Sequence, residues 1–165
     1  MASYSFDVIS DYDKAEMNNV FDQVKREIAT RYDFKGTAAQ IEWLDASKSG
    51  FKITGDGEWQ IESIIEITRK KLASRNQSQK ILDVSIPPQS ANLKDTKNVP
   101  FKSGLNQEKA KKITSQLHSK FPKIKSTIQG ETVRISSNSK DELQTVITFL
   151  RTLDLDFPLN FTNYR

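Results

Sequence analysis

One hydrophobic pattern is written twice along this chain, and that repetition limits the fold more than any other feature. Tyr4, Phe6 and Val8 alternate with Ser5, Asp7 and Ile9, the period-two signature of a strand. Met17, Val20, Phe21, Val24 and Ile28 then recur at helical spacing, behind Asp13 and Glu16, which stand at the separation of a capping box. Two short strands, 41–44 and 51–54, flank a polar turn around Ser47 and Gly50. Asp56 is placed to cap a second helix, whose inward stripe is Ile61, Ile64, Ile65, Thr68 and Leu72. A fourth strand is expected over 81–86, stopped by Pro87 and Pro88.

The pattern restarts at Val99 and Phe101. Asn106 caps a helix with Ala110, Ile113 and Leu117 inward, and 124–128 with 132–136 form a hairpin across Gly130. Ser139 and Glu142 make another capping box ahead of Leu143, Val146, Ile147 and Leu150, and Leu159 and Phe161 mark a last strand. Residues 51–54 can be laid over 133–136, and the helices that follow match as well. A β-α-β-β-α-β unit occurring twice predicts an α+β protein of two ferredoxin-like domains, each an antiparallel sheet with its helices on one face. The polar stretch 87–98 has two prolines and no periodicity, which predicts a linker.

Composition narrows the chemistry. The 165 residues include no cysteine, which removes disulfides, thiolate nucleophiles and cysteine zinc sites and fits a reducing compartment. The N-terminus has neither a basic segment nor an apolar run suited to export, and no stretch approaches membrane-spanning length, so a cytoplasmic protein without membrane association is expected. Net charge is +4, but it is unevenly spread. Residues 1–66 carry 7 basic and 13 acidic side chains, whereas 67–165 carry 18 and 8. Nine lysines and two acids lie between Lys94 and Lys125, a density suited to phosphate contact and to salt-dependent binding.

Catalytic constellations are missing from the sequence. His118 is the one histidine and has no second histidine or cysteine to join it, so it reads as a surface residue. Neither G-x-x-x-x-G-K-[ST] nor G-x-G-x-x-G occurs, and the acidic pairs Asp11/Asp13 and Asp154/Asp156 lack metal-site company. No enzyme activity, cofactor or metal is expected. Strand-borne rings (Tyr4, Phe6, Phe34, Phe51, Phe101, Phe161) are expected mostly in the core, because the aromatic consensus of the RNA-recognition fold is absent.

The clearest candidate site is Arg31-Tyr32-Asp33-Phe34-Lys35-Gly36, two cations, an anion, two rings and a flexible glycine where a helix hands over to a strand. One reading is structural, with Asp33 pairing with Arg31 and Gly36 permitting the turn. In the other, Arg31 and Lys35 neutralise phosphate while Tyr32 or Phe34 stacks on a base. Lys102, Lys111, Lys112, Gln129, Arg134 and Arg165 are the candidates in the second half, Gln129 being able to read a base edge.

The string TRYDFKG, with FKSGLNQEKAKKI (101–113), IQGETVRI (128–135) and PLNFTNYR (158–165), resembles the YajQ family of bacterial nucleotide-binding proteins over nearly the whole chain. That resemblance implies two ferredoxin-like domains with first strands exchanged: 11–86 plus 99–103 in one, 104–165 plus 3–10 in the other, and a basic groove between them as the ligand site. It implies nucleotide or nucleic-acid partners, RNA foremost, with GTP, ATP or cyclic di-GMP as further classes. The chain departs from the family pattern at Ser136–Lys140, where relatives commonly have a glycine and more basic residues. The rival expectation is a protein-interaction adaptor that docks an acidic partner through the basic helix 106–119.

Overall fold

A computed structural model describes residues 3–165. They fall into two compact units, one formed by the N-terminal residues up to Asp11 together with Ser103–Arg165, the other by Tyr12–Lys102. Each unit is a four-stranded antiparallel sheet with two helices, the α+β architecture that the doubled pattern predicts.

In the Tyr12–Lys102 unit the strands are β2 (Gln40–Trp43), β3 (Gly50–Gly55), β4 (Gln89–Ala91) and β5 (Lys94–Pro100), in the order β2-β3-β5-β4. Two 17-residue helices, α1 (Lys14–Thr30) and α2 (Glu58–Ser74), bury their apolar stripes against Ile41, Phe51, Ile53 and Val99. Each fully buried Ile or Phe contributes roughly 1.5–3 kcal/mol relative to exposure, which is why the stripes outweigh an otherwise polar composition. Asp13 caps α1, its Oδ1 accepting from Glu16 N at 3.1 Å.

The other unit holds β1 (Tyr4–Ile9), β6 (Lys125–Gln129), β7 (Thr132–Ser137) and β8 (Asn160–Thr162), in the order β6-β7-β1-β8. Helices α3 (Gln107–Lys120) and α4 (Lys140–Thr152) cover one face through Ala110, Ile113, Leu117, Leu143, Val146 and Leu150, packed on Phe6, Val8, Val133 and Ile135. Asn106 and Ser139 accept from Lys109 N and Glu142 N at 2.8 and 3.3 Å, as their positions predict.

Three expectations are corrected. Residues 81–86 are not a strand, and 87–98 is no structureless linker. A single 3-10 turn, Gln79–Ile81, is followed by Leu82, which bridges Phe101, and by irregular chain. Ile81 and Leu82 are apolar because they plug the core, not because they alternate along a sheet. The sheet is completed by the β4–β5 hairpin, which takes up 89–98 and ends at Pro100, and whose turn residues Asn92 and Leu93 both adopt positive φ (53° and 65°), the geometry of a two-residue primed turn. Asp56, expected to cap α2, instead accepts from Ala38 N at 2.9 Å, and Gly57 occupies the N-cap position with no side-chain cap.

Candidate nucleotide-binding site

The 31–36 corner is shaped by its own side chains. Helix α1 stops because Arg31 turns extended (φ −74°, ψ 126°), one 3-10 turn spans Tyr32–Phe34, and Gly36 at φ +74° turns the chain toward β2. That φ disfavours any residue with a Cβ. Arg31 closes a fork on Asp33, Nε to Oδ1 at 3.0 Å and Nη2 to Oδ2 at 2.8 Å, while its guanidinium lies 4.6 Å from the Phe34 ring centre. This guanidinium holds the Asp33 carboxyl below the usual carboxylate range. Phe34 is buried at 4% exposure, whereas Tyr32 is 88% exposed, so Tyr32 is the ring of this corner that solvent reaches.

Beside the corner lies a cavity of about 590 Å³ whose lining includes all of β2, Gln40–Trp43. Phe21, Ile28 and Ala29 of α1 form one wall, β2 forms the other, and Phe34 and Lys35 close one end. Lys25 and Lys35 both line it, and among the described residues neither is held in an ion pair. Glu42 on the rim accepts from Gln40 Nε2. The cavity thus combines apolar walls with two cations, Lys25 Nζ lying 5.8 Å from the Phe21 ring centre, the composition of a small-molecule pocket whose ligand carries negative charge. Lys25 was missed in the sequence; it stands between Phe21 and Ile28 at i+4 and i−3, on the border of the apolar stripe, where a long cation flanks whatever the stripe faces.

The candidates divide between the units. Arg31, Asp33, Phe34, Lys35, Gly36 and Lys102 belong to Tyr12–Lys102, and Lys111, Lys112, Gln129, Arg134 and Arg165 to the other. Within the latter, Gln129, Arg134 and Arg165 fall on one face of the sheet, where Arg165 joins Arg134 in lowering the Asp7 pKa, but the two α3 lysines do not join them. Lys111 and Lys112 are exposed on α3, which covers one face of the sheet, while Arg134 stands on the opposite face, between inward-pointing Val133 and Ile135. There Arg134 Nε donates to Asp7 Oδ1 at 3.0 Å, and Asn163 Nδ2 donates to Asp7 Oδ2 at 2.8 Å. Those bonds, Arg134 first, lower the Asp7 pKa against the opposing effect of burial. The chain tail explains the arrangement: Asp7 faces Thr162, yet Ser5 exchanges both backbone hydrogen bonds with Arg165, so three tail steps match two on β1. Asn163 takes up the extra residue at φ +56°, a bulge that aims its amide at Asp7.

Among the described residues no strand aromatic lines either open sheet face as a stacking platform: Phe6, Phe51 and Phe101 are buried, and Phe161 packs against the core. Among the described residues no group of His, Asp or Glu has the makings of a metal site, and no helix is long and apolar enough to cross a membrane.

The profile of the family described as "Nucleotide-binding protein YajQ-like" matches residues 4–165. A nucleotide-binding protein of Nocardioides sp. (strain ATCC BAA-499 / JS614) is 40% identical over 100% of both chains. One from Prochlorococcus marinus subsp. pastoris is 44% identical over 99% of this chain and 98% of its own, and one from Trichormus variabilis is 39% identical over 99% of each. With a doubled α+β fold and end-to-end similarity, this chain belongs to the YajQ-like family of nucleotide-binding proteins.

Proposed function

We propose that the chain is a non-enzymatic, cytoplasmic nucleotide- or nucleic-acid-binding protein that takes a nucleotide in the cavity between α1 and β2. The ligand is an RNA nucleotide or a free GTP, ATP or cyclic di-GMP. The observation that carries this reading is the pairing of apolar walls with Lys25 and Lys35, two lysines with no ion-pair partner among the described residues, in a member of a nucleotide-binding family. Lysine is a compact point charge suited to a phosphate at a pocket mouth, and the walls suit a base. Arg31 and Asp33 shape the corner, and exposed Tyr32 offers a stacking surface to a neighbouring base.

The test is binding of fluorescent single-stranded RNA, GTP and cyclic di-GMP at two salt concentrations, to the native chain and to a folded Lys25→Glu, Lys35→Glu variant. Binding of at least one ligand that weakens with salt and is lost in the variant supports the proposal. Absence of binding, or binding indifferent to both salt and variant, overturns it.

The adaptor reading keeps one observation in its favour, since Lys111 and Lys112 are exposed on α3 and hold no ion pair among the described residues. It calls for a protein complex that survives nuclease and is lost on Lys111→Glu, Lys112→Glu.

A further inference from the structure

Gln40, Ile41, Glu42 and Trp43 all line the α1–β2 cavity, although Ile41 and Trp43 pack toward the helices and Gln40 and Glu42 point to the opposite face of the sheet. A cavity that touches both sets runs along the strand's outer edge. That edge is free of a neighbour, because β2 is the terminal strand of its sheet.

The backbone there has a definite polarity. Leu44 N donates to Gly50 O at 2.8 Å, continuing the register in which Glu42 faces Lys52 and Gln40 faces Thr54. Inward and outward groups alternate residue by residue on the terminal strand of an antiparallel ladder. The N–H and C=O of Gln40 and Glu42 therefore turn to β3, and those of Ile41 and Trp43 turn outward. Each of these two residues offers a donor and an acceptor side by side, beside apolar walls and within a cavity that also holds two lysines.

The Watson–Crick edge of a nucleobase is the complement of such a pair: guanine has N1–H beside O6, adenine has N6–H beside N1. We infer that the cavity holds a nucleotide with its base edge-on to β2, the Watson–Crick edge hydrogen-bonded to the main chain of Ile41 or Trp43 and the phosphate facing Lys25 and Lys35. The inference rests on the nucleotide reading above and adds to it the part of the ligand that is read. It also carries a consequence for selectivity. Main-chain groups accept any base with an adjacent donor and acceptor, so GMP and AMP bind within about tenfold of each other, a difference of no more than one hydrogen bond.

The test is calorimetric titration of the full chain with GMP, 2′-deoxy-GMP and 1-methyl-GMP, whose added methyl removes the N1 donor and blocks that edge. GMP and 2′-deoxy-GMP binding alike, with 1-methyl-GMP about tenfold or more weaker, is the expected result for two lost hydrogen bonds. Equal affinity for GMP and 1-methyl-GMP overturns the edge reading while leaving nucleotide binding intact. Failure of all three to bind overturns both.

Discussion

Gly50 is the position where the Tyr12–Lys102 sheet tolerates least. A Cβ added there would lie 2.6 Å from both Pro100 Cα and Val99 O, backbone atoms of the neighbouring strand that no rotamer change can move aside. Ordinary contact is about 3.5 Å, so Gly50→Ala forces β3 and β5 apart by about 0.9 Å at their paired end. One hydrogen bond closes the β3–β5 pairing there, Phe101 N to Ser49 O at 2.9 Å, and the Phe51–Phe101 rings meet edge-on at 4.8 Å just beside it. Weakening that bond costs about 1 kcal/mol. Loosening the ring pair adds about 1 kcal/mol, and the stiffer unfolded chain offsets 0.5–1 kcal/mol. The expected net loss is about 1 kcal/mol. Both tryptophans, Trp43 and Trp59, lie in this unit, and Trp43 stacks 5.2 Å from Phe51. Denaturant unfolding followed by tryptophan fluorescence therefore reads the change directly. A Gly50→Ala protein within about 0.5 kcal/mol of the native one, a difference typical of an inert surface change, would refute the steric argument.

Three further outcomes follow from the structure. Asp7 has its pKa lowered by Arg134 and Asn163, so it contributes stability above the unfolded carboxylate value of about 3.9 and loses it as pH falls through the lower folded value; Asp7→Asn should flatten the acid-side decline in melting temperature between pH 5 and pH 2. Phe34→Ala should cost about 3 kcal/mol of the stability of its unit because the ring is buried, whereas Tyr32→Ala should leave the melting point unchanged and weaken RNA binding alone. Asn106→Ala should cost about 1 kcal/mol through the lost cap on α3, and Asn106→Ser should restore most of it in thermal unfolding.

What was legible in the sequence depended on side chains. The stripes of α1, α2, α3 and α4 and the caps Asp13, Asn106 and Ser139 are visible because burial and capping select residue types at fixed spacing. The β4–β5 hairpin was not, since an edge ladder is held by backbone groups and its exposed residues Gln89, Ser90 and Ala91 need no apolar alternation. Asn92, a residue tolerant of positive φ, was the one available signal. Ile81 and Leu82 misled for the opposite reason, as buried plugs look like a strand when periodicity is short. In the candidate site, the Arg31–Asp33 pair could be proposed from sequence because its partners are two residues apart. The Asp7–Arg134–Asn163 cluster joins residues more than a hundred positions apart, and nothing local announces it. The cavity itself is a property of the gap between a helix face and a strand edge, which no spacing rule reports.

The central claim is that a nucleotide sits between α1 and β2. Its most direct test is a titration of the ¹⁵N-labelled full chain with GTP, followed by amide chemical shifts. Changes concentrated in residues 21–43, with the Ile41 and Trp43 amides among the largest, are the predicted result. Changes confined to α3, around Lys111 and Lys112, would contradict it.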